Sequence, residues 1–228
     1  MKKRMVVLTG AGMSAESGIA TFRDAGGLWE HYPVEQVATP EGFEADPELV
    51  LNFYNIRRRE LLKAKPNAGH QGLAEMESDF DVHIITQNID NLHEQAGSTK
   101  VLHLHGELMK SRSTGDESLI YEIDPSNCDI HLGDLCEKGF QLRPHIVWFG
   151  EAVPMMPEAE KIARQADIFV IIGTSMNVYP AAGLLHDVRK NVPVWLIDPK
   201  DVHTMRYDIQ HIKKGASEGV KELKKILL

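Results

Sequence analysis

The segment of the chain best suited to chemistry is a glycine-rich run near the N-terminus. Residues 9–23 read T-G-A-G-M-S-A-E-S-G-I-A-T-F-R and follow directly on the apolar run Met5–Leu8. Gly10, Gly12 and Ala15 satisfy the dinucleotide pattern G-x-G-x-x-G/A, in which the first glycine permits a tight turn and the second lets a pyrophosphate approach the backbone. A strand that ends in such glycines and then turns helical delivers backbone amides to a phosphate. Nucleotide binding is therefore the first hypothesis.

The segment after these glycines departs from an ordinary dinucleotide unit. Such a unit has a full helix and then a strand with an acidic residue about 20 residues on. Here Ser17–Gly18 cuts the helix short, and Gly26–Gly27 and Pro33 prevent any long periodic segment after it. Phe22 and Trp29 argue against disorder. We expect this loop to cover the ligand, and the alternative is a plain surface connection.

A second polar cluster comes after the apolar run Val82–Thr86. It reads Gln87-Asn88-Ile89-Asp90, and lies where a buried strand ends. Asn88 and Asp90 together offer donor and acceptor atoms that match a carboxamide, the group that nicotinamide presents. The alternative is that one of them caps a helix, and both roles are compatible.

Two histidines occur in the next apolar run, Leu102-His103-Leu104-His105-Gly106. The period of two places both imidazoles on one face of a strand, with a glycine after the second. A histidine at a strand end titrates near neutral pH and suits a general base. We predict His105 as the catalytic base and His103 as a structural residue.

Three more strand ends carry candidate ligand groups. The run from Arg143 to Glu151, R-P-H-I-V-W-F-G-E, ends in aromatics, a glycine and an acid, where an extended peptide could add by strand pairing. Gly173-Thr174-Ser175 offers amides and hydroxyls to a phosphate or ribose, and Asp198 could accept hydrogen bonds from ribose hydroxyls. Core packing is the alternative interpretation of the aromatic pair.

The elements that must position these groups alternate between strands and helices. The predicted strands are Arg4–Thr9, Val82–Thr86, Val101–Leu104, His145–Phe149, Ile168–Ile172 and Val192–Ile197. The predicted helices are Pro47–Lys63, Ala68–Ser78, Pro157–Gln165, Ala181–Lys190 and Ser217–Leu227. Several strands are apolar on both faces, which is typical of a doubly wound parallel sheet covered by helices.

Two segments interrupt this alternation and predict a second, smaller lobe. We expect one α/β domain over 1–228, with a large lobe from approximately 1–21, 80–109 and 143–228. The small lobe comes from insertions at approximately 22–79 and 110–142. A cleft between the lobes, at the carboxyl ends of the strands, is the expected ligand site.

Composition excludes several classes of function. The chain has 228 residues, 43% of them hydrophobic, and a net charge of -8, which argues against general nucleic-acid binding. No apolar stretch approaches the roughly 18 residues that span a bilayer. Cys128 and Cys136 are too few for a disulfide scaffold, and no apolar leader precedes the first strand, so a cytoplasmic location is expected. A monomer is the default expectation.

Taken in order, the motifs G-A-G-M-S-A-E-S-G-I-A-T-F-R, Q-N-I-D, H-G-E-L, L-R-P-H-I-V-W-F-G-E and G-T-S-M-N-V-Y-P-A-A resemble the sirtuins, which are NAD-dependent protein-lysine deacylases. The match covers nearly the whole chain. The resemblance implies a Rossmann-like domain with a small lobe built from two insertions. It also implies that NAD lies in the cleft and that an acyl-lysine peptide enters beside it.

The resemblance further implies a role for individual residues. The catalytic group comprises His105 as the base, with Asn88 and Asp90 around the nicotinamide and its ribose. The NAD site is lined by Gly10, Ala11, Gly12, Glu16, Phe22, Arg23, Gln87, Gly173, Thr174, Ser175 and Asp198. The peptide lies against Val147, Phe149, Gly150 and Glu151. The implied products are free lysine, nicotinamide and O-acyl-ADP-ribose.

A finer resemblance concerns the acyl group. The segment F-Y-N-I-R-R resembles the helix of class III sirtuins, in which a tyrosine and an arginine three residues later bind a succinyl carboxylate. Tyr54 and Arg57 stand at i and i+3, hence on one helix face. A guanidinium binds a carboxylate bidentately, and a phenol adds one donor. The alternative is that Arg57 belongs to a solvated arginine run and Tyr54 to the core.

The chain departs from the family in the small lobe, where two C-x-x-C pairs normally hold a structural zinc. Ser113 and Asp116 stand at the first pair, and Gly133 and Cys136 at the second. One thiolate cannot complete a closed four-ligand site, and a site from Cys128, His131 and Cys136 would leave half of the lobe untied. We predict no structural zinc. A second departure is Asp198, where the family commonly has asparagine.

The sequence therefore predicts an NAD-dependent lysine deacylase that favours succinyl and malonyl groups and leaves acetyl open as a further substrate. Acyl-lysine proteins or peptides are the expected partners, and NAD is the expected cofactor. A protein ADP-ribosyltransferase of the same fold is the alternative. A non-catalytic NAD-sensing module is disfavoured by His105.

Overall fold

The computed structural model describes residues 2–19, 31–204 and 206–228. Its centre is a parallel sheet built from β1 Arg4–Thr9, β2 Asp81–Thr86, β3 Val101–His103, β7 Ile168–Ile172, β8 Val194–Ile197 and β9 Ile209–Ile212. These six strands lie in the order β3-β2-β1-β7-β8-β9. The order runs outward from β1 in both directions, which confirms the predicted doubly wound, Rossmann-like sheet. The carboxyl ends of β1, β2 and β7 therefore meet at one edge.

The central strand β1 is buried on both faces. Val6 and Leu8 pack into the core on one side of the sheet, whereas Met5 and Val7 pack into the core on the other, and all four are fully buried. Burial of each such side chain contributes about 1.5–3 kcal/mol. The uniformly apolar sequence of this strand thus follows from helices that cover both faces.

Helices flank the sheet and build much of the small lobe. Their bounds are Gly12–Ala15, Val34–Val37, Pro40–Ala45, Pro47–Leu61, Ala68–Met76, Leu92–Gln95, Met156–Arg164 and Ala216–Leu227. The Pro47–Leu61 helix begins where Asp46 accepts a hydrogen bond from the amide of Leu49, with Pro47 in the first turn. In the described residues no helix has the length and apolarity needed to cross a bilayer.

A second sheet is antiparallel and has three strands, β4 Gly106–Ser113, β5 Ile120–Glu122 and β6 Leu142–Ile146. They lie in the order β5-β4-β6. The prediction of a strand over His145–Phe149 in the parallel sheet is wrong, because β6 ends at Ile146 and pairs with β4. The predicted helix Ala181–Lys190 is observed as a 3-10 helix over Ala181–His186.

Candidate active site

The glycine-rich turn packs directly against the loop that follows β7. The amide of Gly10 donates to the carbonyl of Ile172 at 3.0 Å, and the amide of Gly12 donates to that of Gly173 at 2.8 Å. Gly173 has a φ of 62°, a left-handed conformation that glycine adopts without steric cost. A Cβ on Gly12 would lie 2.6 Å from the Cα of Gly173. The two loops therefore meet backbone to backbone, which is a further reason for glycine at position 12.

We expect Gly12→Ala to lower the free energy of unfolding by about 1–3 kcal/mol, because backbone atoms occupy the place of the new methyl group. Thermal unfolding followed by circular dichroism measures the change. Gly183→Ala is the matched control, since nothing lies within 4 Å of a Cβ there. A Gly12→Ala protein with the same melting temperature as the unaltered protein would contradict the close approach of the loops.

Three polar side chains form a buried network beside the glycine-rich turn. Oγ of Ser14 donates to Oδ2 of Asp90 at 2.9 Å. Nδ2 of Asn88 donates to the carbonyl of Gly10 at 3.0 Å and to Oγ of Ser14 at 3.1 Å. Both N–H groups of the Asn88 amide are thus used inside the protein, so that Asn88 can offer a ligand only its Oδ1 acceptor.

The carboxylate of Asp90 is suited to a neighbouring positive charge. Burial raises the pKa of Asp90, against the hydrogen bonds that it accepts from Ser14 and from the amide of Leu92. A cation beside a buried carboxylate favours its charged form. A ligand that develops positive charge here would therefore be stabilised by Asp90.

The other predicted NAD residues lie at the same edge of the sheet, with some of their groups already engaged. Nε2 of Gln87 donates to Oγ1 of Thr174 at 3.2 Å. Oε1 of Glu16 accepts from the amide of Ser217, and Oδ1 of Asp198 accepts from the amide of Lys200. Ser175 is half-buried in the loop after β7. Two further predicted residues lie outside the described part of the chain, namely Phe22 and Arg23.

His105 has the tautomer that a general base requires. Its Nδ1 lies 3.0 Å from the backbone carbonyl of Gln87. A carbonyl only accepts, so Nδ1 carries the proton and Nε2 of the neutral ring keeps its lone pair. Burial lowers the pKa of His105, against this hydrogen bond. His103 instead engages both nitrogens, with the carbonyl of Asn88 and with Glu94, as expected of a structural residue.

The segment Val147–Glu151 forms a turn, not an extended strand end. The amide of Val147 donates to the carbonyl of His105 at 2.9 Å, which places this segment beside the candidate base. Gly150 has a φ of 90°. The carboxylate of Glu151 accepts from the amide of Trp148 at 2.7 Å and from Arg143. Phe149 and Gly150 are exposed, whereas the Glu151 carboxylate is engaged inside the lobe.

The predicted acyl-binding pair lies on one face of the Pro47–Leu61 helix. Tyr54 is 1% exposed, and Cζ of Arg57 is 6.0 Å from the centre of the Tyr54 ring. Burial lowers the pKa of Arg57, and the negative charge of Glu60 and Asp90 opposes this shift. The guanidinium therefore lies within electrostatic range of Asp90.

Sequence reasoning singled out neither Ser14 nor Trp148. Ser14 joins Asn88 to Asp90, and the indole of Trp148 donates to the Tyr54 hydroxyl at 3.0 Å. Ser14 carried one signal, a polar residue in the short helix two positions after Gly12. Trp148 lies next to the residues predicted for peptide binding, and its hydrogen bond crosses 94 positions of sequence.

Comparison with known proteins places the chain in a family. A model described as the Sir2 family matches residues 10–180. An NAD-dependent protein deacylase of Bacteroides thetaiotaomicron is 62% identical over 231 residues, which cover 99% of this chain and 98% of that protein. A mutant Sir2 homologue in complex with ADP-ribose has a TM-score of 0.88 at 37% identity, covering 99% of this chain and 94% of that one. A Sir2 homologue in complex with NAD has a TM-score of 0.87 at 38% identity, covering 100% and 91%. The chain belongs to the Sir2 family.

Proposed function

We propose that this protein is an NAD-dependent protein-lysine deacylase that removes succinyl and malonyl groups in preference to acetyl. The name of the Bacteroides relative supports the deacylase activity. The acyl preference rests on one observation, a buried phenol and a guanidinium carbon 6.0 Å from its ring centre on one helix face. A guanidinium and a phenol together match a terminal carboxylate. The reaction consumes NAD and one water, and the products are free lysine, nicotinamide and the O-acyl-ADP-ribose.

The groups at the carboxyl edge of the sheet fit NAD by their chemistry. When bound, NAD supplies a ribose carbon that bears a cationic nicotinamide, which is a good leaving group. Asp90 stabilises the positive charge, and Oδ1 of Asn88 accepts a hydrogen bond from the ligand. The hydroxyls of Thr174 and Ser175 serve the adenosine half. Gly10 and Gly12 keep the first turn free of side chains.

His105 moves a proton in this reaction. With NAD bound, its Nε2 would accept the proton of a ribose hydroxyl, which is the role of a general base. Nδ1 remains bonded to the carbonyl of Gln87, so the ring keeps its orientation as its charge changes. The lowered pKa keeps Nε2 unprotonated at neutral pH.

The substrate peptide lies along the exposed backbone at Phe149 and Gly150. The amide of Val147 donates a hydrogen bond to the carbonyl of His105, and the carboxylate of Glu151 forms ion pairs with Arg143 and Arg112. Val147 and Glu151 therefore shape the turn. Phe149 is 49% exposed and offers an apolar surface to the peptide. The acylated side chain then enters between this turn and the Pro47–Leu61 helix, which carries Tyr54.

We propose that the small lobe holds together without the structural zinc that the sirtuin resemblance implies. The residues at the zinc positions, namely Ser113, Asp116, Gly133 and Cys136, supply one thiol and one carboxylate, which are too few ligands for a closed four-ligand site. Sγ of Cys136 donates to Oγ of Ser113 at 3.3 Å, and Oγ of Ser113 accepts from the amide of Asp116. Asp116 pairs with Lys138 at 2.6 Å. Hydrogen bonds thus join the two segments that zinc would otherwise join.

We expect the purified protein to carry well under one zinc per chain, because one thiolate gives too few ligands for a closed site. Inductively coupled plasma mass spectrometry measures the metal, and EDTA is expected to leave the melting temperature unchanged. A sirtuin with four zinc cysteines is the positive control. Stoichiometric zinc, or a melting temperature that falls on addition of EDTA, would refute a metal-free lobe.

The decisive test of function is mass spectrometry of one reaction with NAD and matched acetyl-, malonyl- and succinyl-lysine peptides. We expect nicotinamide, free lysine and O-acyl-ADP-ribose, with the acidic acyl groups consumed first. Preference for the acetyl peptide would refute the acyl assignment alone. ADP-ribose attached to protein, with no loss of the acyl group, would instead establish the ADP-ribosyltransferase.

A further inference from the structure

A buried hydrogen bond fixes the hydroxyl of the proposed acyl-binding tyrosine. Nε1 of Trp148 lies 3.0 Å from Oη of Tyr54. The two side chains are 3% and 1% exposed. They come from different elements, the turn after β6 and the Pro47–Leu61 helix. The bond therefore links the candidate peptide-binding turn to the candidate acyl-binding helix.

The chemistry of the two groups sets the direction of this bond. An indole nitrogen only donates, so the Tyr54 oxygen must accept and its own proton stays available. Within the described residues no acceptor for that proton lies in hydrogen-bonding range. Burial raises the pKa of Tyr54 to about 12, so the hydroxyl keeps its proton at neutral pH. Tyr54 is therefore a neutral donor with its lone pair already engaged.

The indole itself cannot turn away from Tyr54. The guanidinium carbon of Arg143 lies 3.3 Å from the centre of the Trp148 ring, and Phe43 packs against the ring at 5.3 Å. The backbone amide of Trp148 is bonded to Glu151. The stacking contacts and the hydrogen bond from the backbone amide to Glu151 together hold both the plane and the position of the indole.

We propose that Trp148 is a positioning residue for acyl specificity, which engages the Tyr54 oxygen so that the hydroxyl donates its proton to the carboxylate of a succinyl or malonyl group held by Arg57. This proposal rests on the proposed function. Without the indole N–H, the hydroxyl could rotate and present a lone pair to the carboxylate, which is repulsive. An acetyl group has no carboxylate and does not depend on this arrangement.

The hydrogen bond itself is tested without substrate. In a spectrum of the ¹⁵N-labelled protein, we expect Tyr54→Phe to move the indole N–H signal of Trp148 and to speed its exchange with solvent about tenfold. The indole N–H signal of Trp195 provides an internal control. Its Nε1 has no hydrogen-bond partner in the described residues, so Tyr54→Phe should leave this signal in place. A Trp148 signal that Tyr54→Phe leaves in place would overturn the proposal.

The role in specificity is tested by kinetics on matched succinyl and acetyl peptides. We expect Trp148→Phe to raise KM for the succinyl peptide about tenfold more than for the acetyl peptide, as loss of one substrate hydrogen bond predicts. Trp195→Phe is the matched control and leaves this ratio unchanged. In a Tyr54→Phe background, Trp148→Phe should have no further effect on the ratio, because both residues act through one hydroxyl.

The outcomes separate the proposal from the function on which it rests. An unaltered enzyme that prefers acetyl peptides refutes the acyl preference, and with it any role for Trp148 in serving that preference. If the succinyl preference holds but Trp148→Phe lowers both activities equally, only the positioning role of Trp148 is refuted. Additive effects of Trp148→Phe and Tyr54→Phe on the ratio refute it as well.

Discussion

Replacing His105 with alanine is expected to lower kcat for deacylation by about 10²–10⁴-fold, the usual contribution of a positioned general base. The carbonyl of Gln87 holds the ring with Nδ1 protonated, so Nε2 is the lone pair that is lost. Binding of NAD should persist, because the hydrogen-bonded side chains of Ser14, Asn88 and Asp90, which would meet the nicotinamide half, do not involve His105. Stopped assays by mass spectrometry measure turnover, and calorimetry measures binding.

His83→Gln is the matched control for this prediction. His83 lies on β2 and pairs with Asp81, away from the carboxyl edge, and its replacement should change turnover by no more than about twofold. A His105→Ala enzyme that acts as fast as the His83→Gln enzyme would exclude His105 as the base.

The pH dependence of kcat/KM gives an independent measure of the same group. The base must be neutral, so activity falls as the pH drops through the pKa of His105. Burial lowers that pKa from 6.5, so the half-maximal point of the acid limb is expected below 6.5. An acid limb centred above 6.5 would assign the limb to another group.

Much of the fold could be predicted because the large sheet follows local rules. A strand buried on both faces must be apolar throughout, and β1 and β7 have the predicted bounds Arg4–Thr9 and Ile168–Ile172. Strand β4 was missed because Ser111, Arg112 and Ser113 are polar yet buried. Arg112 is buried because it pairs with Glu151, a partner 39 positions away that periodicity does not show.

The candidate site could likewise be predicted from the sequence only in part. Residue types at the strand ends, such as Asn88 and His105, indicated a carboxamide site and a base from the sequence alone. The direction of each hydrogen bond depended on distant partners. The amide N–H groups of Asn88 are hydrogen-bonded to Gly10 and Ser14, and only the fold shows that both donors are engaged inside the protein. Motifs thus predict candidate groups, whereas tertiary contacts decide which of their atoms are already hydrogen-bonded within the protein.

The substitution Arg57→Met is expected to lower kcat/KM for the succinyl peptide by roughly 10²-fold, since it removes the proposed charge-assisted, bidentate contact to the carboxylate. Activity on the acetyl peptide should change much less, so the preference reverses. Methionine keeps a long apolar stem beside the Phe53 ring, 5.8 Å from the guanidinium carbon, which limits any loss of packing. Competition assays with both peptides in one tube measure the ratio directly.

Arg59→Met is the control that separates a specific contact from a general loss of positive charge. Arg59 lies two positions along the same helix, is exposed, and pairs with Asp129 at 2.5 Å. Its removal changes the net charge by the same amount but should leave the succinyl-to-acetyl ratio unchanged. If both substitutions shifted the ratio equally, long-range electrostatics would explain the preference. If Arg57→Met lowered both activities equally, the carboxylate contact would be excluded.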